Sequence, residues 1–186
     1  MDEAGVIETA RLRLRPWHDA DAEVLYSLAS HPQVGPNAGW LPHESVAESQ
    51  AVIATILSGP YDYALELKET GLPVGAISLR LHRPGDTDLK PGEGEIGFWL
   101  GVPYWGQGLM PEAVRALLSL AFDQMGLTCV WCAYWRGNER SRRVQEKCGF
   151  IYHHTSPPAP TAVGMRTKVT QRMLPEDWAK VRARVR

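Results

Sequence analysis

The chain has 186 residues, a length that suits one domain and allows roughly 70% of the unfolded surface to be buried. Its 20 basic and 21 acidic side chains nearly cancel to a net charge of −1, so no general attraction to nucleic acid or to an anionic membrane is predicted. Residues 1–10 lack the apolar core of a signal peptide, and no uncharged apolar run reaches the ~18 residues that span a membrane. These features predict a cytoplasmic protein with one domain over residues 1–186, without nucleic-acid or membrane partners.

The first third of the chain predicts a strand followed by two helices. Residues 11–16, RLRLRP, alternate leucine with arginine and predict a half-buried strand. Asp19 is predicted to cap a helix that runs to about Ala29, and the proline- and glycine-rich residues 30–42 are predicted to form a loop. A second helix is indicated by the spacing of Val46, Gln50, Ile53 and Leu57.

The middle of the chain predicts a hairpin and a further strand. Residues 63–68 and 74–81 have the composition of strands and are joined by a turn at Gly71, which is typical of a β-hairpin. An acidic, proline-containing loop follows at residues 83–94. The strand over Gly94–Gly101 then leads into a glycine-rich turn.

The rest of the chain continues to alternate helices and strands. A helix is predicted to begin at Pro111, because proline is favoured in the first turn of a helix. The apolar face of this helix comprises Val114, Leu117, Leu118, Ala121 and Met125. Residues 129–135 predict a strand, residues 139–149 a helix stopped by its final glycine, and residues 151–154 and 168–174 two strands around a flexible PPAP link. The last basic residues are predicted to form a solvated helix face rather than a nucleic-acid arm; they are Lys180, Arg182, Arg184 and Arg186. This order predicts one mixed α/β sheet.

The chain contains three cysteines, of which Cys129 and Cys132 form a CxxC motif. Such a motif is typical of zinc or redox sites, but these two residues lie on a predicted strand, where a separation of three directs them to opposite faces. Cys148, His153 and His154 are the only further ligands nearby, without a second clean spacing. We therefore predict ordinary buried thiols and no structural metal.

The glycine-rich turn, Gly101–Gly108, matches no nucleotide-binding motif. It reads like a P-loop, but Gln107 replaces the lysine that contacts the phosphates and Gly108 replaces the hydroxyl that binds magnesium. It also fails as a dinucleotide fingerprint, because Pro111 replaces the third glycine. A turn of this kind at a helix N-terminus still presents N–H groups suited to a pyrophosphate, although it can equally be a tight turn that uses glycine only for geometry.

The segments YWGQGLMPEAVRALL and NERSRRVQEKCGF, with ETARLRLRPW and GEIGFWL before them, resemble the motifs of the GCN5-related N-acetyltransferase (GNAT) superfamily. Within it, they are most similar to the RimJ/RimL-type branch of ribosomal-protein N-acetyltransferases. The resemblance extends over nearly the whole chain. It implies the GNAT fold, an α/β arrangement with a central mixed, mostly antiparallel sheet that splays between its fourth and fifth strands and is flanked by about four helices.

The same resemblance implies acetyl-CoA as the acetyl donor. Its pyrophosphate would lie on the N–H groups of Gly106, Gln107, Gly108, Leu109 and Met110. Its pantetheine arm would lie where the strand over Gly94–Gly101 splays from the strand over residues 129–135. The resemblance gives the backbone contacts to that arm to Phe98, Trp99 and Leu100, with Asn138 on the other side. An unpaired strand edge can indeed bind an extended, peptide-like ligand through main-chain hydrogen bonds.

The chain departs from the superfamily pattern at several positions. Trp105 and Met110 stand at the ends of the loop where Gln or Arg and a small residue are usual, and Pro111 removes an N–H, so somewhat weaker cofactor binding is expected. Gln145 stands where many members carry the tyrosine that protonates the departing thiolate, and an amide cannot titrate. Ser141 is the replacement that the RimL-type pattern suggests.

The acceptor amine must be neutral when it attacks the thioester. At pH 7, deprotonation costs roughly 1 kcal/mol for an α-amine near pKa 8 and about 4.6 kcal/mol for a lysine near 10.4. Glu95 is the candidate base, since it shares a strand face with Gly97 and Trp99; Glu93 and a water relay are alternatives. Four histidines in or beside predicted loops are predicted to be surface residues, namely His31, His43, His153 and His154. Trp40 either lines the acceptor pocket or anchors its loop.

The sequence therefore predicts an acetyl-CoA-dependent N-acetyltransferase acting on a primary amine, with a protein N-terminal α-amine as the favoured acceptor. Two alternatives stay open: an acetyltransferase of a small amine such as an antibiotic, polyamine or amino acid, and an acyl-CoA-binding module without efficient catalysis. Relatives of this type often pair, so a homodimer is a further expectation.

Overall fold

The computed structural model describes residues 5–185, so Arg186 and the first four residues of the acidic N-terminus lie outside the described part. The strands are β1 (Ile7–Glu8), β2 (Leu12–Pro16), β3 (Asp62–Leu67), β4 (Leu72–Leu81), β5 (Glu93–Leu100), β6 (Cys129–Trp135), β7 (Ile151–Thr155), β8 (Ala159–Thr161), β9 (Gly164–Arg166) and β10 (Lys168–Met173). The α-helices are α1 (Ala22–Ala29), α2 (Gly35–Ala38), α3 (Val46–Thr55), α4 (Leu109–Ser119), α5 (Glu139–Cys148) and α6 (Pro175–Val185). Within residues 5–185, none of these helices has the length and apolar character needed to cross a membrane.

Eight strands form one sheet in the order β1-β2-β3-β4-β5-β6-β10-β7, while β8 and β9 form a separate hairpin. Neighbouring strands of the sheet are antiparallel except β5 and β6, which run parallel. Their pairing extends only from Glu93–Cys129 to Ile96–Cys132, after which the two strands diverge. The predicted mixed, mostly antiparallel and splayed sheet is confirmed. The splay lies between the fifth and sixth strands because the two-residue β1, which was not predicted, adds one to the count.

Several local predictions were wrong at the ends of elements or within loops. Asp19 does not cap α1: it lies in a 3-10 turn, and the Asp21 carboxylate accepts the hydrogen bond from the His18 N–H at 2.9 Å. The helix predicted to begin at Pro111 begins two residues earlier, at Leu109, because Gly108 takes a left-handed φ of 77° that turns the chain straight into the helix. Short α2 lies within the predicted loop of residues 30–42, and the β8–β9 hairpin begins within the predicted PPAP link.

The core lies on both faces of the sheet. On one face, the apolar side of α4 packs against the strands, and Val114, Leu117, Leu118 and Ala121 are all fully buried as the helical periodicity predicted. On the other face, α1 and α3 cover a smaller cluster that includes Trp17, Leu25 and Ile53. The larger cluster therefore holds the helix that leads out of the glycine-rich turn, which fixes the turn against the sheet.

A half-buried ion network ties the N-terminal strand to α1. The Arg15 guanidinium contacts the Asp21 carboxylate at 2.7 Å and the Glu66 carboxylate at 2.6 Å, and its side chain is 12% exposed. Burial raises the pKa of Asp21, but hydrogen bonds from Arg15 and the His18 N–H outweigh it, so the pKa lies below its ordinary value of 3.8. The Asp21 contribution to stability is therefore present above pH 3.8 and is lost as the pH falls below it.

We expect Arg15→Ala to lower the free energy of unfolding by about 3–5 kcal/mol, because it leaves the poorly hydrated Asp21 carboxylate without its cation and removes one of the two cations that contact Glu66. Urea denaturation at pH 7 measures the loss. Arg13→Ala is the matched control: Arg13 also contacts Glu66, at 2.8 Å, but its side chain is 45% exposed, and we expect a much smaller loss. Equal losses in the two variants would contradict this interpretation of the network.

Candidate active site

A cleft of about 740 Å³ opens where β5 leaves β6. The predicted site residues that line it are Glu95, Phe98, Trp99, Leu100, Gly106, Gly108, Leu109, Met110, Asn138 and Ser141. Gln107 is the exception: its side-chain amide turns back to donate to the Pro103 carbonyl at 2.9 Å. The structure thus brings together two sets of predicted residues that lie some thirty positions apart in the sequence.

Beyond Ile96, the edge of β5 that faces β6 has no strand partner among residues 5–185. The Gly101 N–H donates to the Val74 carbonyl beside β4 at 2.9 Å. This bond shows which residues of β5 direct their N–H and C=O groups toward β4, because these groups alternate in direction along an antiparallel strand. By this alternation, the main-chain groups of Trp99 point toward β4, and those of Phe98 and Leu100 point into the cleft. The predicted backbone role therefore fits Phe98 and Leu100, whereas Trp99 can contribute only its side chain.

The glycine-rich turn gives the cleft a set of main-chain donors. Gly106 and Gly108 have φ angles of 76° and 77°, a left-handed conformation that residues with a Cβ adopt only with strain. The N–H groups of the first turn of α4 have no partner within the helix and carry the positive end of its dipole. Met110 is 4% exposed and packs in the main core, so its size is accommodated there. Pro111 stands at the third position of α4 and removes one of these donors.

Arg11, which lies just before β2 and was not among the predicted site residues, clamps the turn. Its guanidinium donates to the Gln107 carbonyl at 2.9 Å and to the Glu112 carboxylate at 2.8 Å. The Glu112 carboxylate also accepts from the Thr9 hydroxyl at 2.7 Å and from the Arg11 N–H at 2.8 Å. Burial raises the pKa of Glu112, but these hydrogen bonds outweigh it and hold the pKa below its ordinary value of 4.5. The clamp therefore stays ionised at neutral pH.

Trp105 and Arg140 form a second support that was not predicted. The Trp105 indole N–H donates to the Leu100 carbonyl at 2.7 Å, which ties the turn to the end of β5. The Arg140 guanidinium lies 4.1 Å from the centre of the Trp105 ring, a cation–π contact. Trp105 thus positions the Arg140 guanidinium of α5 beside the glycine-rich turn.

Glu95 lines the cleft, and its carboxylate is paired with Arg80 at 2.8 Å. This hydrogen bond is the main cause of a raised pKa at Arg80. The pair fixes the carboxylate on the face of β5 that also carries Trp99. The alternative base, Glu93, is occupied elsewhere: its carboxylate accepts from the Trp131 indole at 2.9 Å and from the Lys90 N–H.

Asn138, Ser141 and Gln145 form a chain of hydrogen bonds at the start of α5. The Asn138 side-chain oxygen caps the helix by accepting from the Ser141 N–H at 3.1 Å, and its amide donates to the Asn37 carbonyl at 2.9 Å. The fully buried Gln145 amide donates to the Ser141 hydroxyl oxygen at 3.2 Å, and the Gln145 side-chain oxygen has no partner among the described residues. Because its oxygen accepts from Gln145, the Ser141 hydroxyl keeps its own hydrogen available for the cleft.

Trp40 does not line the cleft. Its ring centre lies 6.0 Å from that of Trp99 and 5.3 Å from that of His43, and it packs against the core cluster beneath α1 and α3. It therefore fits the loop-anchor alternative. His43 is not on the surface as predicted: it is half-buried, burial lowers its pKa, and it shares a hydrogen bond with Ser49 at 2.7 Å.

The three cysteines are buried and unbridged. Burial raises the pKa of the Cys129 thiol to about 11 and that of Cys148 to about 12, and it raises the pKa of Cys132 well above its ordinary range. These thiols therefore stay protonated and are poor nucleophiles. Within the described residues, no group of three or more His, Cys, Asp or Glu side chains is arranged to hold a metal ion.

Comparisons with known proteins agree on one family. The model of the acetyltransferase (GNAT) domain matches residues 11–151. The "Uncharacterized N-acetyltransferase YoaA" of Bacillus subtilis is 26% identical over 150 residues, which cover 78% of this chain and 82% of YoaA. The "Putative ribosomal N-acetyltransferase YdaF" of Bacillus subtilis is 37% identical over 77 residues, 41% of this chain and 39% of YdaF. A GNAT-family acetyltransferase structure from Bacillus anthracis superposes with a TM-score of 0.80 at 20% identity, covering 92% of this chain and 99% of that one.

We expect Gly108→Ala to weaken binding of acetyl-CoA about tenfold or more, because an added Cβ forces the residue out of its left-handed conformation and re-aims the first N–H groups of α4. Stabilisation by a ligand at ~100 times the wild-type Kd, about 2.7 kcal/mol, should then fall to about 1.4 kcal/mol. Thermal unfolding with and without acetyl-CoA measures the difference.

Gly126→Ala supplies the matched control. Gly126 also has a left-handed φ, 65°, with nothing within 4 Å of an added Cβ, and it does not line the cleft. It should lose a similar amount of intrinsic stability yet keep the full stabilisation by acetyl-CoA. If acetyl-CoA stabilised the Gly108→Ala protein as much as the wild-type protein, the turn would not be the phosphate-binding site.

Proposed function

This chain is an acetyltransferase of the GCN5-related N-acetyltransferase family, and we propose that it transfers the acetyl group of acetyl-CoA to the α-amine of a protein N-terminus. The observation that carries the proposal is the cleft itself, in which the free edge of β5 lies beside the glycine-rich turn at the start of α4. The choice of a protein acceptor is supported by the RimJ/RimL-type motifs and by the ribosomal activity in the name of YdaF.

The residues of the cleft fit acetyl-CoA in two places. The N–H groups from Gly106 to Met110 suit the pyrophosphate, because they converge at a helix N-terminus. The cleft-facing main chain of Phe98 and the N–H of Leu100 suit the amide groups of the pantetheine arm, while the Leu100 carbonyl already accepts from the Trp105 indole. Asn138 is better suited to holding α2 against α5 than to contacting the arm, since both ends of its amide are already bonded.

Glu95 is the proposed base. It lies on the same strand as the proposed arm-binding groups and is held in place by Arg80. An α-amine near pKa 8 costs only roughly 1 kcal/mol to deprotonate at pH 7, so a carboxylate that is fixed by an arginine can suffice for it. A lysine acceptor would demand about 4.6 kcal/mol and a stronger base.

Ser141 is the proposed group that serves the departing sulfur. Its hydroxyl lines the cleft near Asn138 and receives a hydrogen bond from Gln145, so its hydrogen can point toward the thiolate that forms there. A serine within a helix otherwise tends to bond the carbonyl of the preceding turn. Gln145 thus takes over part of the role of the absent tyrosine by orienting a neighbour rather than by titrating.

Five expectations from the sequence stay predictions. They are that one N-acetyltransferase domain spans residues 1–186, that the protein is cytoplasmic, that it forms a homodimer, and that it needs no metal and binds no nucleic acid. Small amines and a purely acyl-CoA-binding function stay as alternatives, and the first experiment separates them.

That experiment follows the release of the free CoA thiol from acetyl-CoA in the presence of different acceptors. The panel comprises peptides with free N-termini, lysine peptides with blocked N-termini, polyamines and aminoglycosides. We expect release with the free-terminus peptides. Release with small amines alone would move the function to the modification of metabolites or antibiotics, and silence with every acceptor would favour the binding module.

With an active acceptor, we expect Glu95→Gln to lower kcat about a hundredfold and Ser141→Ala about tenfold, each with little change in the Kd for acetyl-CoA. Removing an acid or base slows the step without removing a binding contact. Steady-state kinetics and titration of the cofactor measure the two effects. Glu69→Gln and Ser27→Ala are controls, because both residues are exposed and lie outside the cleft. An unchanged kcat in either test variant would remove that residue from the mechanism.

A further inference from the structure

The face of the large sheet that carries Glu95 is covered by α1 and α3 over one half. Trp99 lies four residues from Glu95 on β5, so both side chains point to this face, where Trp99 packs against the core cluster beneath those helices. The cluster covers β3 and β4 through Ala64 and Ala76. An acceptor whose amine lies at Glu95 therefore leaves over the other half of the face, above β6 and β10.

That half of the face carries two basic side chains beside two indoles. Glu95 pairs with Trp131, and Trp131 pairs with Arg172, so these three residues form one row across β5, β6 and β10. Lys168 lies four residues from Arg172 on β10, and thus on the same face, opposite Trp135. These residues form a basic strip, which consists of Trp131, Trp135, Lys168 and Arg172. All four are partly exposed, and Trp135 and Lys168 also line the cleft, so the strip and the cleft are continuous.

The positive charge of the strip is not paired within the part of the chain that the structure describes. The arginines on β2 and β4 each pair with a carboxylate. Arg172 and Lys168, by contrast, form no salt bridge with any of residues 5–185. The carboxylates on neighbouring β5 are engaged elsewhere, Glu93 with the Trp131 indole at 2.9 Å and Glu95 with an arginine of β4.

Protection of a sheet edge does not explain these cations. Basic side chains on edge strands hinder pairing with another chain, but β10 lies between β6 and β7. Tryptophan and arginine are the side chains most enriched at binding hot spots, and opposite residues on antiparallel strands lie close together. The Trp131–Arg172 pair therefore suits a bound peptide that carries a carboxylate.

The strip lies within reach of the first residues of an acceptor peptide. Neighbouring strands are about 4.8 Å apart, so two strand spacings place Arg172 about 10 Å from Glu95. An extended peptide advances about 3.4 Å per residue. With its amine at Glu95, such a peptide brings its second to fourth residues over the strip.

We propose that Lys168 and Arg172 bind acidic side chains at the second to fourth positions of the acceptor, so that this enzyme favours proteins with an acidic N-terminal segment. The inference rests on the proposed function, in which the acceptor is a protein N-terminus and Glu95 lies beside its amine. A guanidinium and an ammonium each bind a carboxylate through charge-assisted hydrogen bonds. Complementary charge of this kind selects among partners that share the same reactive amine.

The test compares two peptides with free N-termini that differ only at positions 2–4, which carry Asp in one peptide and Asn in the other. With the wild-type protein, we expect kcat/KM to be about five- to tenfold higher for the Asp peptide, as two partly exposed ion pairs allow. The preference should lie in KM rather than in kcat, because the contacts bind ground state and transition state alike. Added salt should reduce it, since exposed ion pairs are screened.

The double variant Lys168→Gln/Arg172→Gln should lose the preference, and glutamine retains part of each side-chain stem for packing. In Lys168→Glu/Arg172→Glu, a peptide with Lys at the same positions should become a better acceptor than the Asp peptide. The matched control is Lys180→Gln/Arg184→Gln, which removes the same charge from exposed positions of α6. That helix packs through Trp178 into the core cluster of α4, on the opposite face of the sheet. The control should keep the wild-type preference.

Equal kcat/KM values for the Asp and Asn peptides in the wild-type protein would overturn the inference and leave the proposed function intact. A preference that survives in the Gln double variant, or one that is lost in the α6 control, would do the same. If neither peptide supports release of the CoA thiol, the proposed protein acceptor and the inference are overturned together.

Discussion

The short parallel pairing of β5 with β6 is the feature on which the rest of the site depends. Two parallel neighbours need a crossover connection, and here α4 supplies it, with its N-terminus at the end of β5 where the strands diverge. The pairing stops after Ile96, so the remaining edge of β5 keeps main-chain groups that no strand of the described part of the chain pairs with. One departure from an otherwise antiparallel sheet therefore produces both a strand edge and a helix N-terminus at the same place. A thioester cofactor with amides at one end and phosphates at the other matches that combination.

The turn between β5 and α4 owes its shape to contacts with distant parts of the chain as much as to its own glycines. Arg11 holds it from the residue before β2, and the Trp105 indole ties it back to Leu100. On the opposite side, Arg140 lies on the Trp105 ring, and Asn138 joins α5 to α2. A loop with two left-handed glycines would otherwise have many conformations to lose on binding. These supports fix the donors before a ligand arrives, which reduces the entropy cost of association.

Sequence patterns within one helix or strand predicted which of its residues are buried. Contacts between distant elements could not be predicted from such patterns. The burial of Val114, Leu117 and Leu118 followed from helical spacing alone, and the alternating sequence of β2 identified its buried leucines. The Arg11 clamp joins residues about a hundred positions apart, and no local pattern distinguishes Arg11 from Arg13 and Arg15 in the same alternating segment. Whether the N–H and C=O groups of Trp99 point toward β4 or into the cleft depends on the register of the β4–β5 pair, which composition does not reveal. β1 has only two residues and carries no periodicity to detect.

The Arg11 clamp also has a consequence for the order in which the protein folds. Its hydrogen bonds close segments of 96 and 101 residues, so they can form only after the N-terminal strand has joined the sheet. Contacts of such large sequence separation form slowly, because the chain loses entropy before they stabilise it. The glycine turn is local in sequence, but its rigid form appears only with these late contacts. A refolding chain should therefore acquire affinity for a phosphate ligand only at the end of folding. The appearance of ligand binding during refolding would indicate that the whole sheet has formed.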